Sequence, residues 1–392
     1  MTEDYILLNA PTFFSNEKKY LQNCIDTSWV STAGSYVNEF EKKISDYTKS
    51  KYAIACNSGT AALQISLKIA GVKENDEVIV PTITFIAPVN AIKYNNAFPV
   101  FMDVDDFFNI DVFKLKEFLE KETYYKNGFT YNKKTNRVIK AILPVHVWGN
   151  AANLEPIIEY LKKINIDIIE DASESLGSEY QSGKLISKHT GTVGKLGCLS
   201  FNGNKIITTG GGGIILTNEK LLAEKAFYFS NQAKDDQIKF IHNDIGYNYR
   251  LTNLQAAVGL AQSENIEKIL AKKRKIHKTY TNYFENCEFA SILKSPAYSE
   301  NNNWMNVLII ENDIMLDIDK IVAYFKKNNI EIRPVWYPNH LQAPYTSCQN
   351  FKIENAMKLV NKSICLPSSY SLSNAQIEKI YKIFINYMET SS

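Results

Sequence analysis

From about Lys51 onward, short apolar runs alternate with stretches whose apolar residues recur at helical spacing. The runs at 52–55, 77–80, 99–102, 138–143, 166–169, 198–201 and 213–216 have the length and content of buried strands. The stretches at 60–70, 87–94 and 154–163 read as helices. Strands separated by helices predict a mostly parallel sheet covered on both faces, joined by right-handed crossovers. In such a sheet, ligands sit beyond the carboxyl ends of the strands. After Thr252 the pattern changes to a long helix over 254–284 with a break near Glu264-Asn265. Short strands follow around 305–310 and 330–333, then an amphipathic helix over 374–388. The expected architecture is α/β, with a large domain over 1–255 and a smaller α+β domain over 256–392. The polar stretch 121–137 is long for a helix-to-strand connection; a functional or interface loop and an exposed β-hairpin fit it equally.

Composition adds exclusions more than content. At 392 residues the chain is too long for one small core, which agrees with two domains. The formal charge of +2 and the lack of a basic run interleaved with aromatics argue against nucleic acid or anionic membrane as main partner. A local phosphate site stays compatible with that balance. The start, Met1-Thr-Glu-Asp-Tyr, is acidic where a secretory signal is basic, and no apolar stretch reaches the length of a membrane span. Cysteines at 24, 56, 198, 287, 348 and 365 lack paired spacing and are expected as free thiols, not disulfides or metal ligands. The expectation is a soluble, cytoplasmic, metal-free protein.

Several strand ends carry candidate chemistry. Cys56-Asn-Ser58-Gly59-Thr60-Ala61 joins a strand to a helix, where free amides bind anions and Thr60 adds a hydroxyl. The same pattern also serves as a simple helix cap. Ile168-Ile-Glu170-Asp171-Ala172-Ser173-Glu174 puts acids at the end of a buried strand, which is costly unless a carboxylate meets a cation or caps a helix. Metal is one such cation, although no histidine or second acid pair accompanies it at ligand spacing; a protonated pyridine nitrogen is another. Pro81-Thr-Ile-Thr84-Phe85 ends a strand with an aromatic that is either core or a platform for a flat ring. Finally, Ser200-Phe-Asn-Gly-Asn-Lys205 precedes glycines 210–213. Alone, that segment is either a phosphate-binding loop or a lysine that acts as an amine nucleophile, and the P-loop order is missing around it. Together, phosphate cradle, strand-end carboxylate, aromatic platform and lysine describe a pyridoxal phosphate pocket.

At this point the chain resembles the DegT/DnrJ/EryC1/StrS family of sugar aminotransferases, of aspartate-aminotransferase-like fold (fold type I). The likeness spans nearly the whole chain. It begins at Trp29-Val-Ser-Thr-Ala-Gly34 and Phe40-Glu41 and continues through Ser58-Gly-Thr-Ala61, Pro81-Thr-Ile-Thr-Phe85 and Val145-His146-Val-Trp148-Gly149. It then includes Glu170-Asp-Ala172, Ser200-Phe201 with Lys205, Gly246-Tyr-Asn248-Tyr-Arg250 and Leu366-Pro367-Ser368. The segment 201–210 and the 124–137 excursion are similar to the legionaminic acid and bacillosamine type of 4-aminotransferase, which acts on nucleotide-linked 4-keto-6-deoxy-N-acetylhexosamines.

The resemblance implies roles residue by residue. Lys205 would carry pyridoxal 5'-phosphate through an imine and later move the reaction's proton. Asp171 would pair with the pyridine nitrogen, Glu174 would lie beside the ring hydroxyl, and Phe85 would stack on the ring. Gly59, Thr60, Ala61 and Ser200 would hold the phosphate, joined by Asn248 from a neighbouring subunit. That implies a homodimer with shared active sites. Arg250, Arg333 and His340 are candidate substrate contacts, with an interface ion pair as the other reading of Arg250 and a braced turn as that of Arg333. His146 is expected in the core. The implied reaction moves an amino group, from glutamate, to the C4 ketone of a UDP- or GDP-linked sugar in surface-glycan or nonulosonic acid biosynthesis. A sugar 3-dehydratase of the same family carries histidine where this chain has Lys205. Amination at another carbon and a non-catalytic cofactor-binding regulator remain alternatives.

Overall fold

A computed structural model describes residues 5–236, 238–311 and 317–391. Its main sheet has eight strands. In spatial order they are Tyr52–Cys56, Gly213–Thr217, Leu196–Ser200, Asp167–Asp171, Ile139–Ile142, Glu77–Pro81, Phe98–Met102 and Asn350–Phe351. Only Gly213–Thr217 runs against its neighbours; the remaining pairings are parallel. Both faces are covered: Ile169 packs into one apolar layer and its neighbour Ile168 into the other. The seven runs expected as strands are all strands of this sheet, within two residues at each end.

The one antiparallel strand positions the lysine. Leu196–Ser200 ends, and Gly213–Thr217 begins, at the same edge of the sheet, with Ser200 paired to Gly213. The connection at 201–212 therefore loops over the carboxyl ends of the parallel strands, carrying Lys205 with it. Gly213 is required there, since a Cβ would lie 2.4 Å from the Ser58 carbonyl oxygen.

The second sheet is antiparallel, ordered Ala290–Ile292, Asn306–Ile310, Ser363–Leu366 and Arg333–Pro334. Helices Ile266–Phe284, Ile318–Lys327 and Asn374–Ser391 pack on it through Ile276, Tyr280, Phe325, Ile377 and Phe384. The expected long helix is two, Asn253–Ser263 and Ile266–Phe284, separated at Glu264 and Asn265. A capping box, Thr252 with Gln255, starts the first of them. The 255/256 boundary read from sequence falls inside that helix's first turn. Chain and layer do not coincide at either end: Ile6 pairs beside Ile330, and Asn350–Phe351 joins the outer edge of the main sheet. The 121–137 stretch forms a β-hairpin, Thr123–Lys126 with Phe129–Asn132, tied down by Asn132 and Thr135 donating to buried Glu77 at 2.7 Å each.

Candidate active site

A cavity of about 760 Å³ opens where the carboxyl ends of the main sheet face the second sheet. The helix Gly59–Ile69 points its start into it. Ser58 caps that helix, its hydroxyl accepting from the Ala61 amide at 3.1 Å. Of the amides a helix start leaves unpaired, Ala61's is thus used, while Gly59 and Thr60 line the cavity. Ser200 stands opposite. A Cβ on Gly59 would come within 2.8 Å of the Ser200 Cβ, so glycine is what lets the serine reach the helix start.

The three acids of the strand end separate by direction. Glu170 turns away from the cavity and is fully buried, accepting from the amides of Gly191, Val193 and Gly194 and from His146 Nε2 at 2.8 Å. The Ala152 amide donates to His146 Nδ1, so Nε2 carries the N–H that reaches Glu170. His146 is a core residue, as expected. Asp171 faces the cavity but is only 4% exposed, and its carboxylate accepts from the Ser173 amide at 3.0 Å. Burial pushes its carboxyl up, against Ser173 and the more distant charge of Lys205. A buried carboxylate so placed fits a cationic ring nitrogen.

Glu174 lies between the lysine and the core. The Trp148 amide donates to its Oε2 at 2.8 Å, and Lys205 Nζ lies 3.4 Å from its Oε1. Burial pushes the Glu174 carboxyl up to about 7, opposed by Lys205 and the Trp148 amide and reinforced by Asp171. Because Oε2 is occupied as an acceptor, a proton on Glu174 sits on Oε1, facing Lys205. Among neighbouring groups, Cys365 also feels this charge, and its thiol is pushed up to about 12, by burial first. A carboxyl raised from its unfolded value stabilises the cofactor-free protein below pH 4, and that contribution is lost as pH rises to 7. Glu174→Gln should therefore match wild type near pH 4 and gain on it by pH 8, by on the order of 3 kcal/mol. Urea unfolding at the two pH values measures this; a gap that stays constant with pH would refute it.

Aromatic rings form the rest of the wall. Phe85, at the start of helix Ile86–Tyr94, is 56% exposed and borders the cavity, so its face is free to stack on a ring. Trp304, from the second sheet's side, lies over Lys205 with Nζ 4.2 Å from its ring. Trp148 and Trp336 stack at 5.2 Å. Trp148 holds a left-handed backbone, φ 51°, which is uncommon for so bulky a residue and belongs here to the turn that presents its amide to Glu174. Arg333 also borders the cavity, exposed, with its guanidinium on Glu331 at 2.7 Å.

Four sequence candidates stand elsewhere. Ala61 is packed inside its helix with its amide on Ser58. Arg250 is buried, donating to the Ala55 carbonyl and to Glu41, both at 2.8 Å, and does not border the cavity of its own chain. His340 shares a hydrogen bond with Thr82 at 2.7 Å and does not border the cavity of its own chain. Asn248 lies outside the cavity of its own chain, in a bridge with Asn231. Sequence reasoning did not find Trp304 or Trp336. Both come from irregular segments of the second domain, where no periodicity marks them.

The model of the DegT/DnrJ/EryC1/StrS aminotransferase family matches residues 12–384. The GDP-perosamine synthase of Escherichia coli O157:H7 is 35% identical over 95% of this chain and 96% of that protein. The GDP-perosamine synthase of Caulobacter vibrioides is 34% identical over 96% of each. Among solved structures, a DegT DnrJ EryC1 StrS aminotransferase from Brucella abortus superposes with a TM-score of 0.84 at 26% identity, covering 95% of both chains. Helicobacter pylori PseC gives 0.88 at 23% identity, over 98% of this chain and all of that one, a likeness of fold.

Proposed function

The chain belongs to the DegT/DnrJ/EryC1/StrS aminotransferase family, and from that premise we propose that it aminates the C4 ketone of a nucleotide-linked 4-keto-6-deoxy sugar. It is a pyridoxal-phosphate-dependent sugar aminotransferase; glutamate is the proposed amino donor and the cytoplasm the proposed compartment. The observation that carries the reading is the lysine at the sheet's carboxyl edge, facing Glu174 at 3.4 Å and sharing a cavity with Asp171 and the Gly59 helix start. The relatives named GDP-perosamine synthase favour GDP over UDP as the nucleotide.

Pyridoxal phosphate supplies, when bound, a carbonyl that exchanges amines and a ring that takes up the electron pair released at the reacting carbon. The chain's residues do the rest. The amides of Gly59 and Thr60, with the Thr60 and Ser200 hydroxyls, are the proposed phosphate cradle. Asp171 would hold the proton on the ring nitrogen by charge pairing, which also relieves its own burial. Phe85 would cover one ring face. Lys205 Nζ is the proposed base that takes the proton from the donor's α-carbon and returns one to the sugar carbon. Glu174 Oε1, beside that amine, can exchange a proton with it.

A homodimer completes this proposal. Asn248 lies outside its own chain's cavity, and Ile238, Phe240 and Ile245, on the neighbouring 234–245 excursion, are 88%, 67% and 83% exposed. An apolar patch of that kind supports burial against a second copy. Light scattering should give twice the chain mass, and Ile238→Glu should lower it to one.

Borohydride reduction of the cofactor-loaded protein should leave a cofactor-derived mass on the peptide that holds Lys205. With glutamate present, turnover of GDP-, UDP- and dTDP-linked 4-keto-6-deoxy sugars then ranks the nucleotides. Amination of none of them, with the label in place, would overturn the substrate and leave the cofactor chemistry standing.

A further inference from the structure

The buried face of helix Ile266–Phe284 runs through Ile266, Ile269, Leu270, Lys273, Ile276, Tyr280 and Phe284. A lysine thus occupies a core position of an amphipathic stripe, 3% exposed. Among the described residues no carboxylate pairs with it, and burial lowers its pKa to about 7. Its Nζ instead meets three oxygens, Asn9 Oδ1 at 3.2 Å, the Trp304 carbonyl at 3.2 Å and the Ser368 carbonyl at 2.5 Å. Three acceptors match the three N–H bonds of an ammonium; a neutral amine would leave one without a donor. The reaction described above gives this cation no part.

Its partners lead back to the active site. Asn9 Nδ2 donates to the Asn204 carbonyl at 2.8 Å, and Trp304 Nε1 donates to the same oxygen at 2.6 Å. Asn204 is the residue before Lys205, and the Trp304 ring lies over Lys205 Nζ. Both donors that fix this carbonyl therefore belong to residues Lys273 holds.

We propose that Lys273 is a positioning residue for Lys205: it clamps Asn9 and Trp304 so that the peptide before Lys205 and the indole above its amine are set as one unit. The proposal builds on the reading of Lys205 as the reacting amine. A buried cation does this better than an apolar residue because its three bonds converge from chain segments far apart in sequence.

The test uses Lys273→Met, which keeps the stem and removes the donors, and Asn9→Ala, which deletes one link at a half-buried position and spares the core. In cofactor-free protein, the pH profile of Lys205 acetylation, read by peptide mass spectrometry, should shift in both variants. In the loaded enzyme, kcat should fall roughly 10–100-fold with KM for the amino donor little changed, as a displaced reacting group requires. Lys273→Met should add nothing further to Trp304→Phe, since both act through one unit. Should Lys273→Met fail to fold, Asn9→Ala decides, its melting temperature unchanged. An unaltered Lys205 profile in Asn9→Ala, or full additivity with Trp304→Phe, would overturn the proposal. The wild-type borohydride label on Lys205 tests the underlying reaction separately.

Discussion

Lys205→Ala is expected to lower transamination by at least roughly 10²–10⁴-fold, the range lost when a positioned proton-transfer group is removed. The loss should be in kcat, because the residues proposed to bind the cofactor phosphate and ring, Gly59, Thr60, Ser200, Asp171 and Phe85, remain in place. Steady-state assay with glutamate and the preferred nucleotide sugar measures it, and borohydride should then leave no cofactor mass on the 201–212 segment. The fold should tolerate the change. Among the described residues Lys205 makes one weak ion pair, at 3.4 Å to Glu174, and one ring contact, with Trp304 at 4.2 Å, both at the cavity wall. The change does leave Glu174 without its cation, and the mutant should become less stable with rising pH more steeply than wild type. Wild-type turnover by Lys205→Ala would sink the mechanism.

The largest expected change in stability lies one strand position from the chemistry. Glu170→Ala should destabilise the protein by about 3–5 kcal/mol, the cost of leaving several buried donors without their charged acceptor. Four donors would be left without an acceptor: His146 Nε2 and the amides of Gly191, Val193 and Gly194. Burial alone would raise the Glu170 carboxyl, yet the hydrogen bond from His146 and these amides together hold it below its ordinary value. A depressed carboxylate stabilises the fold above its unfolded pKa and stops doing so as acid protonates it. The penalty of Glu170→Ala should accordingly be full at pH 7 and shrink below pH 4, measured as the shift in urea midpoint. Glu170→Gln keeps an acceptor and should cost less. A loss under about 1 kcal/mol at pH 7 would mean that water replaces the carboxylate, against its burial.

That Glu170 and Asp171 have such different duties was within reach of the sequence. Successive residues of a strand point to opposite faces, so of two adjacent acids only one can face the ligand. The sheet and its strands were legible because buried parallel strands are written as continuous apolar runs. The cofactor cradle was legible because strand ends are local. Arg250 was not, since its partners, Glu41 and the Ala55 carbonyl, lie far back in the chain and nothing near Arg250 announces them. Trp304 was hidden for the same reason: it meets Lys205 only once the two sheets are docked. Lys273 did leave a trace, as a charged residue on the apolar stripe of a helix otherwise patterned without fault.

The short strand Asn350–Phe351 closes the outer edge of the main sheet against Phe98–Met102. Without residues 350–351 this edge has no partner strand, and it is a template for pairing with any other extended segment. The active site also waits, since the turn that carries Lys205 is held by Asn9 from the first ten residues and by Trp304 from the second domain. Fragments that stop within helix Ile266–Phe284 should therefore be sticky and inert.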